Sequence, residues 1–253
     1  MITTYRDLRR PALDHRTAMV LAAEEYRRFA DAVGGLAPEA WTRPTACPAW
    51  DVRQMTAHVV GMAEMMAGIR EGRRQQRIAG TEAAAQGIAF IDALTALQVR
   101  ERSGHSPERL VADARRAGRR AARARRMAPS FLRRRDIGMP QVVQGVEESW
   151  ALGYMVDVIL TRDTWMHRSD IALATDTEMR LTAEHDGRII ADVVAEWAQR
   201  HGAPYRLTLT GPVGGTWSHG TGGEEIELDA VQFCRVLSGR GSGSGLLATE
   251  VPF

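Results

Sequence analysis

The sequence predicts an α+β protein, with a helical domain over residues 1–178 and a small α/β domain over 179–253. Apolar residues recur every three or four positions through much of the first 178 residues, and most cleanly at Val52, Met55, Val59, Met62, Met66 and Ile69. Near residue 178 the texture changes. After one more helical run come short alternating stretches at 205–210, 215–219 and 225–228, separated by glycines.

The first helix spans 13–33, with Leu13, Thr17, Val20, Leu21 and Glu24 as its stripe and Tyr26 and Phe29 at the edge. Gly34-Gly35 ends it, as a C-terminal glycine does. Residues 36–50 form a connector whose three prolines deny it a regular ladder, and Trp41 and Trp50 pin it by apolar burial. Asp51 and Gln54 have the spacing of a capping box, so the second helix starts there. His58 lies on the border of its apolar stripe. A third helix covers 81–102, with Ile88, Ile91, Leu94 and Leu97 as core positions. Ser106-Pro107-Glu108 starts a fourth helix that runs to about Met127. A long helix is expected over 143–173. Thr182 caps the next, which buries Ile189, Ile190, Val193, Val194 and Trp197 and stops at Gly202. Gly220–Gly223 joins the last two strands as a hairpin loop, and Asp229 caps a short helix over 230–237.

Composition excludes several classes. The chain has 253 residues, 44% of them hydrophobic, which is ample for a buried core. No run of eighteen apolar residues occurs, so no membrane partner is expected. Residues 1–10 lack the apolar stretch of a signal peptide, and Cys47 and Cys234 are too few for a disulfide framework. A cytoplasmic location fits both observations. Net charge is +2, and every one of the 33 basic residues is arginine, a bias that suggests a GC-rich genome. Arg115, Arg116, Arg119, Arg120, Arg123, Arg125 and Arg126 crowd the fourth helix, and Arg133, Arg134 and Arg135 follow it. They go round much of the helix and no aromatic side chains interleave to stack bases, so a solvated face is expected and no nucleic-acid partner.

The chemistry concentrates at the end of the long helix. Helical spacing places Val156, Ile159, Leu160, Asp163, His167, Asp170 and Ile171 on one side. A carboxylate on a core-facing stripe costs several kcal/mol (roughly) unless it is compensated. Asp163 and His167 are four apart and can face one bound object. The pair is either a metal half-site or a buried Asp–His hydrogen bond. His58, Asp163 and His167 together offer three donors from two helices, which leaves one position for water or substrate, as in catalytic zinc sites.

Residues 44–53, Pro-Thr-Ala-Cys-Pro-Ala-Trp-Asp-Val-Arg, followed by Ala57-His58, resemble the P-T-x-C-P-x-W-x-V-R…A-H segment of the mycothiol-dependent maleylpyruvate isomerase family. Residues 162–168, Arg-Asp-Thr-Trp-Met-His-Arg, resemble its second metal motif. Residues 230–240 and Val251-Pro252-Phe253 resemble its C-terminal domain, so the likeness spans nearly the whole chain. Asp163 stands where the enzyme that names the family has Glu.

The resemblance implies a DinB-like four-helix bundle of actinobacterial type followed by a small sterol-carrier-like domain. It implies zinc or another divalent metal on His58, Asp163 and His167, and mycothiol as thiol cosubstrate. The expected activity is an isomerase or thiol S-transferase acting on a small electrophile, in a monomer or homodimer. Asp170, one turn past His167, either orients that imidazole or only adds polarity to the helix end. Arg235 and Arg240 either pair with a substrate carboxylate or are solvated surface residues. Cys47, in the proline-rich turn near the helix of His58, is either a further ligand or a packing residue, and packing is the expected role. The alternative function is a non-enzymatic DinB-like protein that binds metal or a small ligand.

Overall fold

The computed structural model describes residues 3–253. Met1 and Ile2, part of the stretch read as lacking a signal peptide, lie outside the described residues. In chain order the elements are β1 (Thr3–Arg9), α1 (His15–Gly34), α2 (Val52–Ala67), α3 (Ile69–Gln86), α4 (Phe90–Glu101), α5 (Pro107–Arg126), α6 (Ser130–Arg133), β2 (Gln141–Val143) and β3 (Val146–Trp150). Then follow α7 (Leu152–Tyr154), a π-helical stretch Met155–Ile159, α8 (Leu160–Thr175), α9 (Arg188–His201), β4 (Tyr205–Thr210), β5 (Gly215–His219), β6 (Glu224–Asp229) and α10 (Ala230–Arg235). The protein is thus mixed helical and sheet. It divides into two compact units, neither continuous in sequence.

The helical unit comprises His15–Ala128 and His167–Met179. Its α2 begins as the sequence requires: Asp51 accepts from Gln54 N–H while the Gln54 side chain accepts from Asp51 N–H, at 2.8 and 2.9 Å. Ser106 accepts from Arg109 N–H and Pro107 opens α5. Phe29, Val33, Trp41, Val52, Met55, Val59, Leu110 and Ile171 form one buried cluster among α1, α2, α5 and the end of α8. Gly118 lets α5 approach Tyr26 of α1, because a Cβ there would lie 2.8 Å from the tyrosine Cβ.

Three expectations need correction here. The stretch read as one helix over 81–102 is the end of α3 and all of α4. Gly87, at φ 67°, closes α3 in the left-handed region and α4 restarts at Phe90. Ile88 and Ile91 are exposed, while Leu94 and Leu97 are buried. On α1 the buried face is rotated from the expected one: Val20 is 65% exposed, and Ala18, Ala22 and Glu25 face inward. Alanines allow close helix packing, and a buried glutamate in that face is compensated by an arginine described below.

The second unit comprises the chain up to Asp14, Pro129–Met166 and Arg180–Phe253. Residues 143–150, expected to begin the long helix, instead lie in two strands and the turn between them. β2 and β3 pair antiparallel around Gln144 (φ 51°) and Gly145 (φ 74°), and β1 joins the other edge of β3 in parallel. Two consecutive positive φ values make the tight turn whose twist suits a hairpin, and Val142, Val143, Val146 and Trp150 favour extended backbone.

The second sheet has the order β5-β4-β6. β4 alternates buried Tyr205, Leu207 and Leu209 with exposed Arg206, Thr208 and Thr210. β5 and β6 both pair with β4, antiparallel and parallel respectively, so Gly220–Gly223 is not a hairpin loop. It carries the chain over the start of β4 to the opposite edge. A Cβ on Gly223 would lie 2.1 Å from the Pro204 carbonyl carbon, so only glycine passes there. α9 buries Ile189, Ile190, Val193, Val194 and Trp197, and Asp229 caps α10, both as expected. Among the described residues, no helix is long and apolar enough to cross a membrane.

Candidate metal centre

The two sequence motifs meet around His58 and His167. His58 sits in the second turn of α2 and is only 4% exposed. Its ring lies edge-on to that of His167, with centroids 5.2 Å apart and planes at 89°. Trp50, just before the capping box, covers both: its ring is 4.9 Å from that of His58 and 6.1 Å from that of His167. The connector thus does more than pack, because its tryptophan forms a wall of the site.

α8 runs unbroken through this region, so its own backbone holds Asp163 one turn before His167. His58, Asp163 and His167 each bring one donor atom within 4.8 Å of the others. Cys47, His167 and Asp170 form a second group of the same kind and share its imidazole. Asp170 is fully buried, and its Oδ2 faces His167 Nδ1 at 3.4 Å.

Behind His58 stands a polar chain that the sequence reading missed. Gln98 Oε1 faces His58 Nδ1 at 2.9 Å. Gln98 Nε2 donates to Gln75 Oε1 at 2.9 Å and faces Met62 Sδ at 3.1 Å. Gln75 Nε2 in turn donates to Gly61 O at 3.2 Å and Glu71 Oε1 at 2.9 Å. Both glutamines are fully buried. Gly61 makes the room, since a Cβ there would lie 2.6 Å from Gln98 Cβ and Cγ. The signal was present in the sequence as a polar residue, Gln98, directly after Leu97 and four past Leu94 on a short apolar stripe.

α8 carries more buried charge than its spacing suggests. Arg168 binds Glu25 of α1 through two hydrogen bonds. In the other unit, Arg162 donates to Asp192 at 2.6 Å and Glu196 at 2.8 Å. Tyr154 and Arg200 also donate to Glu196. Burial pushes the Glu196 carboxyl up, but Arg162 and Arg200 outweigh it and hold its pKa at about 2.

Arg235 and Arg240 belong to that same unit. Arg235 is buried on α10, and half-buried Arg240 donates to Ser238 Oγ at 3.3 Å. Cys234 is fully buried and its thiol is pushed well above the usual range by that burial, so it is held as a neutral thiol. Most of the α5 arginines are exposed, but Arg125 is buried and donates to Tyr26 Oη at 3.2 Å.

The fold is similar to that of two solved structures, both of mycothiol-dependent maleylpyruvate isomerase. One is at 16% identity and TM-score 0.56, and the other, a histidine-to-alanine variant, is at 15% and 0.55. In each case 91% of this chain and 91% of the other are covered. No curated protein matches the sequence. The family model described as the mycothiol maleylpyruvate isomerase N-terminal domain matches residues 22–172, a span that holds His58, Asp163 and His167. The chain belongs to the mycothiol maleylpyruvate isomerase family.

Proposed function

We propose that this protein is a metal-dependent, mycothiol-dependent isomerase or S-transferase acting on a small electrophile of the maleylpyruvate type. The observation that supports it most is the meeting of His58, Asp163 and His167 within 4.8 Å, on helices inside the family match. Two imidazoles and one carboxylate suit zinc, whose ligands lie roughly 2.0–2.2 Å from the ion. A third reason is burial, because the two histidines lie in a largely closed site where charge would otherwise be costly. We read the helical unit as a DinB-type four-helix bundle and the C-terminal part as sterol-carrier-like. The two cysteine thiols, neither in a disulfide, suit a reducing cytoplasm.

A divalent ion held there lowers the pKa of a thiol and supplies thiolate at neutral pH. The chain's own residues do the rest. Trp50 closes one side of the imidazole pair and keeps bulk water from it. Asp170 lies where it can take the Nδ1 proton of His167 as a hydrogen bond and hold that ring in place. In the substrate, thiol sulfur adds to an activated double bond. Rotation about the resulting single bond and loss of the same thiol give the isomer, and retention of the thiol gives the transferase product. Arg235 and Arg240 are the chain's candidates for a substrate carboxylate. Asp163, His167 and His58 are the residues that would hold the ion, and Asp163 would do so with a shorter arm than a glutamate.

The test is elemental analysis of protein purified without chelator, with mycothiol consumption assayed on maleylpyruvate and related electrophiles. About one zinc per chain and thiol-dependent turnover are expected, and both are lost in His58→Ala while the fold remains. Bound metal without turnover on any electrophile favours a metal- or ligand-binding role instead. Turnover retained by a folded, metal-free His58→Ala overturns the site.

A further inference from the structure

We propose that Gln98, oriented by Gln75, is a positioning residue that fixes His58 as the Nδ1–H tautomer and so presents its Nε2 lone pair to the site. This deepens the metal-site reading above and rests on it for its functional meaning, though not for its geometry.

Direction enters at the far end of the chain of hydrogen bonds. The Gly61 carbonyl and the Glu71 carboxylate can only accept. The end of Gln75 that faces both, at 3.2 and 2.9 Å, is therefore its NH2. Its oxygen must then face Gln98, so Gln98 presents NH2 to it at 2.9 Å. That leaves the Gln98 oxygen against His58 Nδ1 at 2.9 Å, and an oxygen acceptor there requires a proton on Nδ1. A neutral imidazole with its proton on Nδ1 carries its lone pair on Nε2.

Glu71 is kept as an acceptor by Arg74, which donates to both of its oxygens, at 2.8 and 2.6 Å. The arginine holds that carboxyl below its usual pKa even though burial opposes it. Arg74 is itself tied to Glu101 at 2.6 Å, so an α3–α4 ion cluster anchors the relay. A flipped amide at either glutamine would set two acceptors against each other in a dry interior, which the low dielectric makes expensive. Gly61 completes the arrangement, because any side chain there would displace Gln98. For zinc, a ligand histidine needs this outer acceptor to set both its ring orientation and its donor nitrogen.

The first measurement is long-range 15N–1H NMR of histidine-labelled, metal-free wild type. We expect His58 Nδ1 to be protonated and Nε2 to show the shift of an unprotonated nitrogen. The second compares Gln98→Met, which fills the space without an oxygen, with Gln98→Glu, whose carboxyl in its protonated form keeps an acceptor for His58 and a donor for Gln75. In Gln98→Met the Nδ1–H signature is lost and zinc affinity, titrated with Zn2+ alone, falls about 10–100-fold. In Gln98→Glu the Nδ1–H tautomer is retained and zinc affinity is largely rescued. A protonated Nε2 in metal-free wild type overturns the proposal without any variant. So does a folded Gln98→Met that keeps both tautomer and zinc affinity. If wild type shows the Nδ1–H tautomer but takes up no zinc, the metal reading fails while the positioning role of Gln98 stands.

Discussion

Arg168 on α8 grips Glu25 on α1 through paired hydrogen bonds, Nε to Oε1 at 2.8 Å and Nη2 to Oε2 at 3.0 Å, with both side chains buried. The arginine follows His167 directly, so the pair holds the end of α8 that carries the site. Removing either partner takes two charge-assisted hydrogen bonds from a buried charged group. Arg168→Ala and Glu25→Ala should each cost about 3–5 kcal/mol. Glu25→Ala combined with Arg168→Ala should cost less than the sum of the single changes. Urea unfolding of the singles and the double measures the coupling, and strictly additive losses would show that the two side chains do not act as a unit.

Acid should weaken the second unit through its buried carboxylates. The Glu196 carboxyl sits at about 2 in the folded state against an ordinary 4.5. Its folded value is lowered, so its contribution is fully present above pH 4.5 and is lost as pH falls towards 2. The whole window is worth about 3 kcal/mol. Glu148, held by Arg9 and Arg200, is lowered against the pull of burial and acts in the same direction. Urea midpoints measured from pH 6 down to pH 3 should fall in wild type. In Glu196→Gln they should start lower and fall less steeply.

Gly223 should tolerate no side chain. Its Cβ would lie 2.1 Å from Pro204 backbone where the chain passes over the start of β4. Gly223→Ala should cost more than about 2 kcal/mol, read as a lowered melting temperature. Gly222, at φ 69° with open space around it, is the control: Gly222→Asn should cost well under that, since asparagine accepts left-handed backbone.

The basic helix α5 should not hold nucleic acid. Arg116 is paired with Asp113 at 2.8 Å, and Arg125 is buried against Tyr26. Band-shift titration with duplex DNA and with RNA should show no complex at about 0.15 M salt. Tight binding abolished by neutralising Arg119, Arg120 and Arg123 together would contradict this.

Local signals in the sequence were read well where they lie in a few adjacent residues. The Asp51/Gln54 box, the Ser106-Pro107 start and the Asp229 cap each need only one turn of chain, and each is where the sequence places it. Signals that depend on distant partners were not legible. Glu25 looks misplaced on α1 until Arg168 is brought to it from 143 residues away. β3 carries its pattern in five residues, and its place in a sheet depends on β1 at the other end of the unit. α3 is arginine- and glutamine-rich with almost no apolar period, so neither its helical start nor the burial of Gln75 is legible in the sequence. At the candidate centre, His58, Asp163 and His167 were visible as donor types on helical spacing. Trp50 was visible only as an anchor and Gln98 not at all, because neither's role can be read without its neighbours in space.

The parallel pairing of β1 with β3 has a consequence for synthesis. Arg9 and its partner Glu148 are separated by 139 positions. At about 5–20 residues per second, a ribosome needs on the order of 7–28 s to make the intervening chain. For that time β1 has no sheet edge to join, while His15–Ala128, most of the helical unit, is already out and can collapse on local contacts. The strand made early is therefore among the last to be secured, and premature pairing of β1 with another chain is the misfolding route this topology leaves open.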